Sequence, residues 1–276
     1  MEREGTPEGM GGRVKILCLG DAHVEPGYDV RTRFLQLSEY IVETKPDVIV
    51  QMGDFLSMSA LSHWDRNKRL LMEGRRYTDD LSCGKYAIKK LFSHINIWNA
   101  SCAKTKRKRY HPKLVWLDGN HEEWLPKYLE NHPELKGMFD IKRDLGLYEL
   151  AASYEVEYVD YGKWAIIDGI AFTHAPITGN GRPVSGETAT KSSLNLFDTS
   201  VVFAHTHRLE FQSTNRHGRS ALQQALSVGC FFEHDFDYCR IANNKFWRGV
   251  VTLETHGDGT FDYTTMSLAA LNKRYG

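Results

Sequence analysis

The sequence carries no net charge, since 35 basic side chains stand against 35 acidic ones. A chain balanced in this way is not, as a whole, an electrostatic binder of nucleic acid or of an anionic membrane, so any such affinity must come from a local patch. It also has no C-x-x-C pair, and its cysteines (Cys18, Cys83, Cys102, Cys230, Cys239) form an odd set. That excludes a thiolate zinc site of ordinary spacing and argues against a disulfide framework. No apolar run approaches the length needed to span a bilayer. The opening MEREGTPEGMGGR lacks the apolar stretch of a secretory signal, and residues 1–13 read as a flexible leader. The expected location is a reducing cytoplasm. There is no internal repeat, and residues 14–276 are expected to form one domain, long enough to bury a full core.

What the sequence does have is a series of short apolar runs that stop on polar residues. KILCLG (Lys15 to Gly20) stops at Asp21, DVIVQM (Asp47 to Met52) at Gly53-Asp54, and KLVWL (Lys113 to Leu117) at Asp118-Gly119-Asn120-His121. Between the first two, Arg31 to Thr44 has helical spacing in Phe34, Leu37, Ile41 and Val42. Strand, helix, strand in this order predicts a parallel α/β unit with ligands at the carboxyl ends of the strands. Further strands are expected at Trp164 to Ile167, Ile170 to Thr173 (stopping at His174) and Ser200 to Ala204 (stopping at His205-Thr206-His207), with a terminal hairpin around HGDG. The segment from about 55 to 112 reads as an insertion with one helix, Asp79 to Asn99, followed by a basic run from Lys104 to Lys113.

Asp21 and His23 are two apart just past a strand, so an extended backbone would send both side chains to one side, as a chelate requires. His205 and His207 repeat that spacing, and Asp54, Asn120 and His174 stand at other strand ends. Each piece alone has a plain reading: D-x-H is common, a buried histidine is usually a satisfied core residue, and Asn120 is at home in a turn. Their joint placement, each directly after an expected strand, sets them apart. Oxygen and imidazole donors without thiolate suit manganese, iron, zinc or cobalt. They are numerous enough for two ions about 3.5–4 Å apart, the spacing used for in-line phosphoryl displacement.

The order G-D-x-H (Gly20, Asp21, His23), G-D (Gly53, Asp54), G-N-H-E (Gly119 to Glu122), His174 and H-T-H (His205 to His207) resembles the calcineurin-like metallophosphoesterase superfamily over nearly the whole chain. The resemblance implies a four-layer αββα sandwich of two mixed sheets flanked by helices. It implies two divalent metal ions, manganese foremost and iron, zinc or cobalt as alternatives. Asp21, His23 and His207 would hold the first, Asn120, His174 and His205 the second, and Asp54 would bridge them. His121 would be the catalytic residue that serves the leaving group, while a water shared by the ions attacks phosphorus. Three positions depart from the family pattern without removing a ligand: Ala204 where glycine is usual, Ser57 in the G-D-x-x-D/N element, and the loose Ser227-Val228-Gly229-Cys230 stretch.

The substrate is expected to be a phosphate ester, with a phosphodiester in a nucleotide or nucleic acid favoured over a phosphomonoester in a small molecule or protein. A catalytically silent interaction scaffold is the alternative of another class. His63, Arg75, Arg76 and Arg182 are the candidate substrate contacts, alongside Ser62, Trp64 and Arg66. The basic run, with Tyr110 and His111 as stacking groups, is a candidate track for a nucleic-acid backbone.

Overall fold

The computed structural model describes residues 13–215, 222–235 and 243–276. Residues 1–12 of the expected leader, and Cys239, lie outside the described residues.

Four strands, β1 (Lys15–Leu19), β2 (Val48–Gln51), β3 (Lys113–Leu117) and β4 (Val156–Val159), are parallel neighbours. A second sheet follows, from β5 (Ala165–Ile167), β6 (Ile170–Phe172), β7 (Ser200–Phe203), β8 (Leu209–Thr214) and β9 (Gln223–Val228), in the order β5-β6-β7-β9-β8. In it β6, β7 and β9 are parallel and the two edge strands antiparallel. The chain then returns to the first sheet through the hairpin β10 (Gly249–Thr255) and β11 (Phe261–Ser267), with β10 antiparallel to β1. Both sheets are therefore mixed.

The period-2 alternation of each strand divides the core into layers. Ile16 and Cys18 of β1, with Val48, Val50, Val115 and Leu117, meet Ile170, Phe172, Val202, Leu226 and Val228 of the second sheet. Leu17 and Leu19 point the other way, with Ile49, Leu114 and Trp116, against the first helical layer. That layer holds α1 (Arg31–Thr44), α3 (Tyr77–Leu91) and α4 (Ser93–Thr105), reached through the single turn α2 (Arg69–Met72), and the terminal helix α9 described below. On the far face Ala171, Val201, Phe203 and Ala225 pack against α8 (Ala189–Leu196). The short helices α5 (Trp124–Asn131), α6 (Ile141–Asp144) and α7 (Leu147–Ala151) join β3 to β4, and α9 (Leu268–Tyr275) closes the chain. The result is the expected αββα sandwich.

One expected element is divided. Instead of a single helix from Asp79 to Asn99, α3 ends at Leu91 and α4 begins at Ser93. The intervening Phe92 leaves helical geometry (φ −97°, ψ 2°) and is buried against Tyr154, at 5.0 Å between ring centroids. The hydroxyl of Ser38 in α1 accepts the His94 N–H at 2.9 Å, satisfying a donor that the start of α4 exposes.

Candidate metal centre

All seven expected ligands stand just past the carboxyl ends of β1, β2, β3, β6 and β7, where the two sheets face each other. The backbone that presents them is not extended. His23 (φ 39°), Asp54 (φ 48°), His205 (φ 65°) and His207 (φ 58°) all lie in the left-handed region, which non-glycine residues seldom occupy. The expected extended D-x-H chelate is therefore replaced by a turn in which the N–H groups of Ala22 and His23 both donate to the carbonyl of Asp54, at 3.1 and 3.0 Å. Four such residues around one point mark a strained constellation held by its surroundings.

Two groups of donors share Asp54. In the first, the Nε2 atoms of His23 and His207 are 3.2 Å apart, and Asp21 Oδ2 is 2.8 Å from His207 and 3.8 Å from His23. In the second, His174 Nε2 is 3.1 Å from Asn120 Oδ1, and the rings of His174 and His205 are 5.2 Å apart. Asp54 Oδ2 lies between them, 3.9 Å from His23 Nε2, 3.5 Å from His174 Nε2 and 3.8 Å from His121 Nε2. The clusters Asp21–His23–His207 and Asp54–His174–His205 each bring three ligand atoms within 4.8 Å of one another. Each cluster takes residues from both sheets.

The donor chemistry fits divalent cations. His174 Nδ1 lies 2.9 Å from the carbonyl of Met52 and must donate to it, so the ligating form of the ring turns its Nε2 lone pair towards Asn120 Oδ1 and Asp54 Oδ2. Lone pairs facing each other in a buried site repel, and a cation among them removes the repulsion. Burial also pushes the pKa of His23 down, with help from His121 and His207, and that of His205 down to about 4. Neutral imidazole, the ligating form, is thereby favoured. Burial works to raise the Asp21 carboxyl, but His207, His174 and His23 outweigh it and hold it far below the usual carboxylate range.

The motif glycines and Glu122 fix the Asp54 turn. A side chain at Gly53 (φ 94°) would run into the His174 ring, and one at Gly119 into Asp54 itself. Glu122 is buried and its carboxylate accepts three backbone N–H groups, from Gly119 (2.8 Å), Asp54 (2.9 Å) and Leu56 (3.0 Å). The E of G-N-H-E is thus a tether between two ligand loops, a role that its charge alone did not disclose. The His121 ring is oriented by neither Glu122 nor Asp118. Its Nδ1 donates to the Ser57 carbonyl at 2.7 Å, and its face stacks on Trp124 at 4.1 Å and 27°. Ser57, the departure from the family pattern, supplies this anchor with its backbone, which no residue-type motif can encode.

The candidate substrate contacts are more dispersed. His63 packs against Trp64, Arg75 pairs with Asp65 at 3.3 Å and reaches the Ser59 carbonyl, and Arg76 donates to the Arg75 carbonyl. Arg182 is exposed and closes a turn with Thr178. The basic run lies at the amino end of β3, the opposite edge of the sheet from the centre. Its Tyr110 is not free to stack: the hydroxyl donates to the Pro46 carbonyl at 2.7 Å and the ring packs on the core.

A four-layer sandwich with a shared carboxylate between two imidazole-rich clusters defines the class as an α/β metallohydrolase scaffold. The chain belongs to the calcineurin-like phosphoesterase family, whose model matches residues 14–209. Membership makes it a metal-binding hydrolase of phosphate esters. No curated protein matches it in sequence. One solved structure aligns over 92% of this chain and 100% of its own at 10% identity, with a TM-score of 0.42, too low to carry an argument. No described helix is long and apolar enough to cross a membrane.

Proposed function

We propose that the chain is a binuclear phosphodiesterase. The observation that carries this reading is the position of Asp54, a buried carboxylate shared by the two clusters. Asp21, His23 and His207 would hold one divalent cation and Asn120, His174 and His205 a second, with manganese the first candidate for these N/O donors. When bound, such a pair lowers the pKa of a water at neutral pH and offsets charge on the phosphoryl oxygens.

His121 supplies the acid. With Nδ1–H committed to Ser57, Nε2 is the ring atom left to pass a proton to the departing oxygen. Stacking on Trp124 keeps the ring from turning away. The ion pairs of Asp21 and Asp54 are with histidines only, among the described residues, so no lysine or arginine joins them in the centre. A diester, with one negative charge, suits such a centre better than a dianionic monoester, which calls for an added fixed cation.

The test is hydrolysis of bis-p-nitrophenyl phosphate and p-nitrophenyl phosphate by metal-stripped protein, with and without Mn²⁺. Metal-dependent cleavage favouring the diester supports the proposal. Monoester preference redirects it to phosphorylated small molecules or proteins, and no turnover despite bound metal leaves a scaffold.

A further inference from the structure

The chain is neutral overall, yet from Trp64 to Arg76 five basic side chains stand against two acidic ones. Lys68 and Arg75 are paired with Asp65. Arg66, Arg69 and Arg76 have no carboxylate within 4.0 Å among the described residues. These three, with Leu70, line a shallow depression of about 610 Å³ whose lining includes a single carboxylate, that of Glu73. Two residues before Arg66, the Trp64 indole is 75% exposed, an unusual place for the most costly ring to leave in water.

Unpaired guanidinium groups near an exposed indole match the chemistry of a single nucleic-acid strand, in which the phosphates meet arginine and an unstacked base lies on the ring. A duplex would hide the base faces. The position is also apt: Ser57, which anchors His121, precedes Trp64 by seven residues, so the backbone of Trp64 is at most about 25 Å from that anchor. The basic run of residues 104–113 has no indole, and its Tyr110 packs on the core. Leu70 and Leu71 are exposed too, but α2 is one turn long and offers little apolar face to a membrane interface.

We infer that the Trp64–Arg76 surface is a platform for single-stranded nucleic acid, holding the strand that flanks the scissile phosphodiester. The inference rests on the phosphodiesterase reading above. It is tested by fluorescence anisotropy of the full chain, in EDTA, with labelled oligothymidylate of about 20 nucleotides, longer than one such site covers. Saturable binding that weakens with salt is expected. Trp64→Ala should weaken it about tenfold, and the double change Arg66→Gln with Arg69→Gln should lower the salt slope by about 1–2. Absence of binding, or native affinity in both variants, overturns the platform. So does phosphatidylserine-vesicle binding that is lost in the same variants, which would assign the surface to a membrane. Diester turnover without oligonucleotide binding removes the platform alone, whereas oligonucleotide binding without diester turnover removes the phosphodiesterase reading and with it the platform's place beside a scissile bond.

Discussion

The Arg33 guanidinium donates from Nη2 to the carbonyl of Ala22, the residue between Asp21 and His23, across 3.1 Å. Nη1 reaches the Asp29 carbonyl at 3.2 Å, so one side chain, almost fully buried, spans the loop that carries two of the expected ligands. Burial lowers its pKa to about 10, against the opposing pull of Glu233 and Asp29. Lysine keeps the charge but cannot grip both carbonyls. Arg33→Lys is expected to lose about tenfold or more in turnover through misplacement of the loop, with a fold that still melts cooperatively. Native turnover in that variant would show that the clamp does not position Asp21 and His23.

Asp54→Ala removes the one carboxylate that both clusters use. Both metal occupancy, read by elemental analysis, and activity should fall together. A variant that still holds two ions would overturn the shared role.

His121→Ala should lose roughly a hundredfold or more in turnover, the usual worth of a placed general acid, while metal content stays native. The loss should be smaller for a p-nitrophenolate ester than for an alkyl ester, because a good leaving group needs less protonation. Equal losses on both substrates would point to phosphate binding instead of acid catalysis.

Glu122→Gln is expected to destabilise the fold nearly as much as Glu122→Ala, despite its close shape. Whichever way the amide turns, its NH₂ group meets a backbone N–H of Gly119, Asp54 or Leu56. An unsatisfied buried donor costs about 1–3 kcal/mol. Urea unfolding of both variants measures this, and a native midpoint for the glutamine variant would contradict it.

Asp80 is buried in α3 and accepts from the Ala60 N–H at 3.1 Å. Burial raises its pKa from 3.8 to about 6. A raised carboxyl contributes stability that is fully present below about pH 4 and lost as pH rises through 6. Asp80→Asn, which keeps an acceptor without the charge, should therefore stabilise the protein at pH 8 by at most about 3 kcal/mol. The gain should vanish below pH 4. Thermal melts at the two pH values decide it, and equal melting of variant and native chain at pH 8 would contradict it.

The strands and α1 were legible because their apolar residues fall in clean periods, and β1, β2 and β3 end on motifs that mark the loops. β4, β8 and β9 left weaker marks: β4 and β8 are only partly buried, while β9 is buried throughout although Gln223, Gln224 and Ser227 make it half polar. The break at Phe92 depends on Ser38 and Tyr154, distant in sequence, so periodicity ran through it. At the centre, which oxygen and imidazole donors come together could be read from residue type and spacing. The left-handed backbone, the Ser57 carbonyl and the Arg33 clamp could not, since main-chain conformation and main-chain acceptors leave no residue signature.

Each cluster draws on both sheets, so a chain in which only one sheet has formed possesses neither. Turnover is then a gauge of sandwich closure. During graded unfolding, the activity that survives should count the molecules whose two layers are still docked, even where each layer separately keeps its hydrogen-bonded ladder.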